Sequence, residues 1–179
     1  MLKGKVITLR PVHEDDLPQL YEHILNIENR GDFYPATIQT LAELRKELNT
    51  TGFWTPTFGL LLLIDNESGK VIGQIVYFKT VQYMVELEIG YILYDTGRRK
   101  QGAMSEALQL LTRYLFDTMQ VNRIRLCIET MNKASRGVAK NGGYTHEGTM
   151  RGCFFNKGRY RDMELYAITR DDLAGEKSG

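Results

Sequence analysis

Residues 97–111 read GRRKQGAMSEALQLL, and the reading of this stretch decides the fold. Met104, Ala107, Leu108, Leu111 and Leu115 recur at helical spacing and form one apolar stripe. Directly before that helix stand Arg98, Arg99, Lys100 and Gly102. A helix N-terminus carries unpaired N–H groups and a partial positive charge, so cations are unfavourable there. A bound anion removes the conflict. Free N–H groups, a glycine that admits close approach and nearby cations together suit a phosphate or pyrophosphate. The competing reading leaves the three side chains in water at a small dipole penalty. The stretch matches neither G-x-x-x-x-G-K-[ST] nor G-x-G-x-x-G, which sets aside the two common nucleotide-binding loops.

Upstream, KVITLRPV (5–12) alternates as a strand, and Leu17, Leu20, Tyr21 and Ile24 mark a helix. Thr40 with Glu43 makes a capping box for a second helix carrying Leu41, Leu44 and Leu48. Three strands follow: FGLLLLID, then KVIGQIVYF after the turn NESG, then YMVELEIGYIL. Downstream of 97–111, NRIRLCIE (122–129) alternates as a strand and NKASRGVAKNGG (132–143) is a short helix ending in glycines. YTHEGTMRGCFF and YRDMELYAI form a closing hairpin about NKGR. The order β-α-α-β-β-β-α-β-α-β-β predicts an α/β (α+β) fold: a mixed, mostly antiparallel sheet of seven strands between layers of four helices. Residues 1–170 read as a single domain and 171–179 as a frayed tail.

The bulk numbers are those of an ordinary globular chain: 179 residues, 42% hydrophobic, 25% charged. A net charge of +1 provides no global field for nucleic acid or membranes, so any basic site is local. The two cysteines, Cys127 and Cys153, have no metal-ligand spacing and read as free thiols. The opening residues lack a signal-like apolar run, so a cytoplasmic protein without a metal is expected. On YMVELEIGYIL, Glu86 and Glu88 share a face opposite Val85, Leu87, Ile89, Tyr91 and Leu93. They read equally as a solvent face or as acid–base groups. Asn132 and Ser135 fit a helix N-cap and its first turn.

The order of elements, with ELEIGYIL, RKQGAMSEAL, NKASRGVAKNGGY, HEG and GRYRDMELYAI, resembles the GNAT superfamily of acyl-CoA-dependent N-acetyltransferases. Within it the chain is similar to the Rim-type branch, which acts on ribosomal-protein N-termini, and to spermidine and drug-modifying relatives. The likeness runs from ITLRPV to LYAI. It implies acetyl-CoA as cosubstrate, with Arg98, Arg99, Lys100, Gln101, Gly102, Ala103 and Met104 around the pyrophosphate. Met104 stands where the family has a small residue. The resemblance further implies that Tyr91, Ile92 and Leu93 line the cosubstrate and that Asn132 meets its pantetheine arm. It makes Glu88 the base, Glu86 a substrate-side carboxylate and Ser135 a proton donor to the departing thiolate. The tyrosine donor frequent in the family is replaced by Ala139. Tyr34 and Trp54, in aromatic loops, are implied to border the acceptor groove.

Direct attack of a primary amine in a ternary complex is the implied reaction, with a protein N-terminal α-amine favoured. The alternatives are a polyamine, aminoglycoside or amino sugar as acceptor, or a catalytically weak acyl-CoA-binding domain. The run RGCFFNKGRYR interleaves cations with aromatics, as nucleic-acid sites do. Asp162 and Glu164 follow at once, and ordinary hairpin chemistry accounts for it. No nucleic-acid or membrane partner is expected, and oligomeric state is open.

Overall fold

The computed structural model describes residues 1–26, 33 and 39–175. Nine strands form one sheet: β1 (Leu2–Lys3), β2 (Ile7–Arg10), β3 (Trp54–Thr55), β4 (Phe58–Asp65), β5 (Val71–Phe78), β6 (Glu86–Leu93), β7 (Arg123–Glu129), β8 (Thr145–Asn156) and β9 (Arg159–Thr169). Their spatial order is β1-β2-β4-β5-β6-β7-β9-β8, with β3 paired to the start of β4. The helices are α1 (Leu17–Leu25), α2 (Leu41–Thr51), α3 (Ala103–Thr118), α4 (Lys133–Asn141) and α5 (Arg170–Gly175).

Seven strands and four helices were expected. The two additional strands, β1 and β3, are two residues long and carry no period that a sequence could show. The tail expected from residue 171 is helical through Gly175, because the Asp172 carboxylate accepts from the Thr169 N–H at 2.7 Å and from its hydroxyl at 2.8 Å.

Local chemistry explains the elements. At the start of α2, Thr40 Oγ1 accepts from the Glu43 N–H while the Glu43 carboxylate accepts from the Thr40 N–H, the expected capping box. Gly52 ends that helix at φ 65°. Alternation along β4 and β5 divides the core in two. Ile7, Leu61, Leu63, Ile75 and Tyr77 pack with the stripe of α3, Ala107, Leu108, Leu111 and Leu115. On the other face Leu60 and Leu62 pack with Leu17 and Leu20 of α1 and Leu44 of α2.

One junction positions the site. Among the described residues β6 and β7 are the only parallel neighbours, and α3 is the crossover that such a pair requires. Their ladder holds for three pairs, Glu86 with Arg123, Leu87 with Ile124 and Glu88 with Arg125. Beyond Glu88, β6 continues to Leu93 on β5 alone, and β7 continues to Glu129 on β9 alone. The sheet therefore opens into a V, and the N-termini of α3 and α4 both lie at its open end.

Candidate active site

The chain from Asp95 to Ser105 is shaped by its backbone. The Asp95 carboxylate caps the turn at Thr96–Arg98, accepting from the Gly97 N–H at 2.8 Å. Lys100 then takes φ 62° and Gly102 φ 83°, both left-handed, and only the glycine adopts that region without strain. Gly102 is the N-cap of α3 and supplies no side-chain cap. The first N–H of α3 to find a backbone acceptor is that of Glu106, which donates to the Gly102 carbonyl. Those of residues 100–105 have no acceptor among the described residues. A Cβ placed on Gly102 would meet nothing within 4 Å, so the space above this row of donors is open. These features fit an anionic phosphate chain.

The loop is fixed from two sides. The Glu106 carboxylate accepts from the N–H groups of Lys5, Val6 and Ile7 at 2.6, 2.8 and 2.9 Å, pinning the first turn of α3 to β2. Gly4 lets it sit close, since a Cβ there would come within 2.4 Å of that carboxyl group and push it aside. On the other side Arg98 reaches Asp65 at 2.6 Å and Glu67 at 3.1 Å. The Ser68 hydroxyl and N–H, with the Arg98 guanidinium, hold the Asp65 carboxyl below the usual carboxylate range.

Arg98, expected beside the pyrophosphate, here ties the loop to the β4–β5 turn. Gln101 is likewise engaged, accepting from Arg98 at 3.2 Å and donating to the Gly97 carbonyl at 3.0 Å. The side chains of Arg99 and Lys100 are exposed and have no partner among the described residues. Ala103 and Met104 turn their side chains into the core. A large residue at 104 is therefore compatible with a free backbone N–H.

Across the opening, Tyr91, Ile92 and Leu93 lie on the stretch of β6 that β7 does not pair. The Tyr91 hydroxyl spans the gap to α4, 2.7 Å from Ser135 Oγ and 3.3 Å from the Ser135 carbonyl oxygen. Burial pushes this phenol up to about 12, against the pull of the Ser135 hydrogen bond. Asn132 is the N-cap of α4: its Oδ1 accepts from the Ser135 N–H at 3.0 Å. That cap uses the backbone of Ser135 and leaves its hydroxyl to Tyr91. The Tyr91–Ser135 pair is not visible along α4 alone, where Ala139 stands at the position of the frequent tyrosine, because its phenol comes from β6.

The opposite face of the sheet carries the carboxylates. Glu88 Oε2 accepts from Arg125 Nε at 3.0 Å and faces Cys127 Sγ at 3.4 Å, while its Oε1 has no partner among the described residues. Burial, with Glu88 beside it, pushes the Cys127 thiol up to about 12, so it is not the nucleophile of a covalent route. Glu86, expected on the substrate side, shares the Glu88 face but is tied up by arginines. It is 6% exposed and held by Arg123 at 3.1 Å and Arg125 at 2.9 Å. The missed signal is the period-two run Arg123, Arg125, Cys127, Glu129 on β7, which lies along the same face.

Trp54, expected to border the acceptor groove, is packed against the larger core. It packs edge-on against Tyr77 and against Tyr114 near the C-terminal end of α3. There it lines a cleft of about 600 Å³ with Met84, Leu87 and Met119, at the end of β6 remote from the opening. Tyr34 lies outside the described residues.

Comparison with known proteins agrees with this geometry. An acetyltransferase (GNAT) domain family matches residues 7–145. The ribosomal-protein-serine acetyltransferase of Escherichia coli strain K12 is 31% identical over 90% of this chain and 91% of its own. Among solved structures, a ribosomal L7/L12 alpha-N-protein acetyltransferase in complex with coenzyme A superposes with a TM-score of 0.78 at 23% identity, over 94% of this chain and 97% of that one. A spermidine N-acetyltransferase from Vibrio cholerae, in complex with CoA and spermine, gives 0.80 at 17% identity, over 96% and 99%.

Proposed function

Because the chain belongs to the GNAT acetyltransferase family, we propose that it transfers the acetyl group of acetyl-CoA to the α-amine of a protein N-terminus. The observation that carries the transfer is the row of unengaged N–H groups at residues 100–105, set at the open end of the β6–β7 gap. In this reading the pyrophosphate rests on those donors, between exposed Arg99 and Lys100. The pantetheine arm follows the unpaired edge of β6 from Leu93 past Ile92 to Tyr91, under Asn132. Acetyl-CoA supplies the thioester. Everything else is done by side chains of this chain.

The acceptor amine enters from the Glu88 face, where Glu88 Oε1 is available to orient it or to take its proton directly or through water. The demand on that carboxylate depends on the amine. An α-amine with a pKa near ~7.7–8.0 loses its proton at pH 7 for about 1.4 kcal/mol, whereas an alkyl amine near ~10.4 needs about 4.6 kcal/mol. The carboxylates Glu86 and Glu88, each engaged by arginine, suit the lesser demand. On the other face the leaving thiolate meets the Tyr91–Ser135 pair. Full proton transfer from a phenol at about 12 to a thiolate near ~8.5 is uphill by roughly 5 kcal/mol. The pair therefore acts by hydrogen bonding to the developing negative charge.

The ribosomal-protein relative supports a protein acceptor. The experiment is CoA release from acetyl-CoA with free N-terminal peptides, spermidine and an aminoglycoside. Turnover of peptides above the small amines is expected, and Glu88→Gln should lower kcat, least at high pH. Preference for spermidine or the aminoglycoside overturns the N-terminal acceptor.

A further inference from the structure

The run of cations and aromatics between β8 and β9 is absorbed neither by the core nor by the reaction. From Gly148 to Arg161 the chain carries Arg151, Lys157, Arg159 and Arg161 and no acid, in a protein whose net charge is only +1. Lys157 (φ 49°) and Gly158 (φ 74°) make the tight left-handed turn that joins the strands. Phe155 and Tyr160 face each other across it, ring centroids 5.2 Å apart, yet remain 60% and 75% exposed. Self-stacking stiffens the tip without covering it.

Its position follows from register. The β7–β9 ladder ends at Glu129 with Met163, so residues 154–161 overhang the open end of the V. Alternation along β9 puts Arg159 and Arg161 on the face that carries Glu88 and Cys127. On that face every carboxylate near the gap already has an arginine: Glu86 with Arg123 and Arg125, Glu88 with Arg125, Glu129 with Arg161 and Glu147 with Arg123. Arg151 and Arg159 are exposed and have no carboxylate partner among the described residues. Four carboxylates on that floor share three arginines, which leaves one net negative charge there, while the rim carries the unpaired cations Arg151 and Arg159. A polycation gains nothing from such a rim. An acidic chain does.

We infer that the β8–β9 hairpin tip docks an acidic segment of the acceptor polypeptide, downstream of the α-amine presented at Glu88. The inference rests on the N-terminal reading above and adds a position to it. From the level of Glu88 to Arg159 the path runs along β7 to Glu129 and then from Met163 along β9, eight strand steps in all. At about 3.3 Å a step this is roughly 26 Å, the span of about eight extended residues. Acidic side chains therefore count at about positions six to nine of the acceptor.

The test uses peptides with one common N-terminal sequence whose sixth to ninth residues are all Glu, all Gln or all Lys. The Glu peptide should exceed the Gln peptide roughly fivefold in kcat/KM, through KM, with the advantage shrinking as salt rises. The double variant R151Q/R159Q should lose that advantage while its rate on the Gln peptide is unchanged. Equal kcat/KM for the three peptides, or an advantage that survives in the double variant, overturns the docking surface and leaves the N-terminal acceptor standing. Turnover of spermidine with none of the peptides overturns both. Binding of a single-stranded RNA oligonucleotide at near-physiological salt, lost in R151Q/R159Q, would reassign the tip to nucleic acid.

Discussion

Ser135→Ala separates catalysis from architecture because the structure divides the residue's two roles. The cap on α4 is an Asn132 bond to the Ser135 N–H, which alanine keeps. Only the hydroxyl, 2.7 Å from the Tyr91 hydroxyl, is removed. The ground-state loss is one neutral hydrogen bond, about 1 kcal/mol, partly offset by the Ser135 carbonyl that Tyr91 also approaches. For a chain of this size that lowers Tm by about 2–4 °C. The transition-state loss is larger if the hydroxyl supports the departing thiolate. A hydrogen bond to a charged group is worth about 1.5–3 kcal/mol, or roughly 10- to 150-fold in rate.

The assay is kcat and KM by CoA release on an accepted peptide, beside Tm and CoA affinity on the same preparation. kcat should fall within that range while the amine KM and the CoA affinity stay near wild type. Because burial raises the Tyr91 phenol to about 12, its proton stays on throughout the assay range, and no alkaline limb below about pH 10 should come from it. Tyr91→Phe should reproduce the kcat loss, and the double variant should cost less than the two single losses combined. Wild-type kcat in a Ser135→Ala protein with lowered Tm would refute the reasoning.

Gly102→Val should weaken CoA binding at least tenfold by calorimetry, since it fills the open space above the donors; unchanged affinity would remove the anion site. Its strain at φ 83° should itself lower Tm by a few degrees. Glu106→Ala removes the acceptor of three backbone N–H groups, and a loss of about 2 kcal/mol or more, read as a fall in Tm of at least about 4 °C, is expected. A Tm within error of wild type would show that the carboxylate does not hold α3 to β2. Exposed Cys153 should be alkylated by iodoacetamide well before Cys127, whose thiol is raised to about 12; peptide mapping showing the reverse order would contradict that environment.

Where period and local chemistry act together, the sequence was readable. The stripe of α3, the Thr40–Glu43 box and the alternation of β7 all depend on neighbours a few residues apart. The row of unengaged donors before α3 was readable for the same reason, since a glycine before a helix supplies no side-chain cap. What escaped depended on distant partners. Arg98 resembled Arg99 and Lys100 until Asp65, far upstream, was brought beside it. Glu86 and Glu88 looked equivalent on their strand, and Arg123 with Arg125 buried one and left an oxygen of the other available. Trp54 looked like a loop aromatic near the acceptor because its contact with Tyr114 cannot be seen in local sequence.

The three-pair ladder between β6 and β7 has a consequence for how the molecule breathes. It is a thin seam between two leaves, one running from β1 to β6 and the other from β7 to β8, stitched mainly by α3. Each leaf has a full antiparallel ladder of its own, so opening at the seam sacrifices few backbone hydrogen bonds. Native-state amide exchange should resolve two cooperative units, with β4–β5 and β7–β9 protected to different depths. A molecule lying in the gap would act as the missing stitch. Part of its binding energy would then be spent in fusing the two units into one.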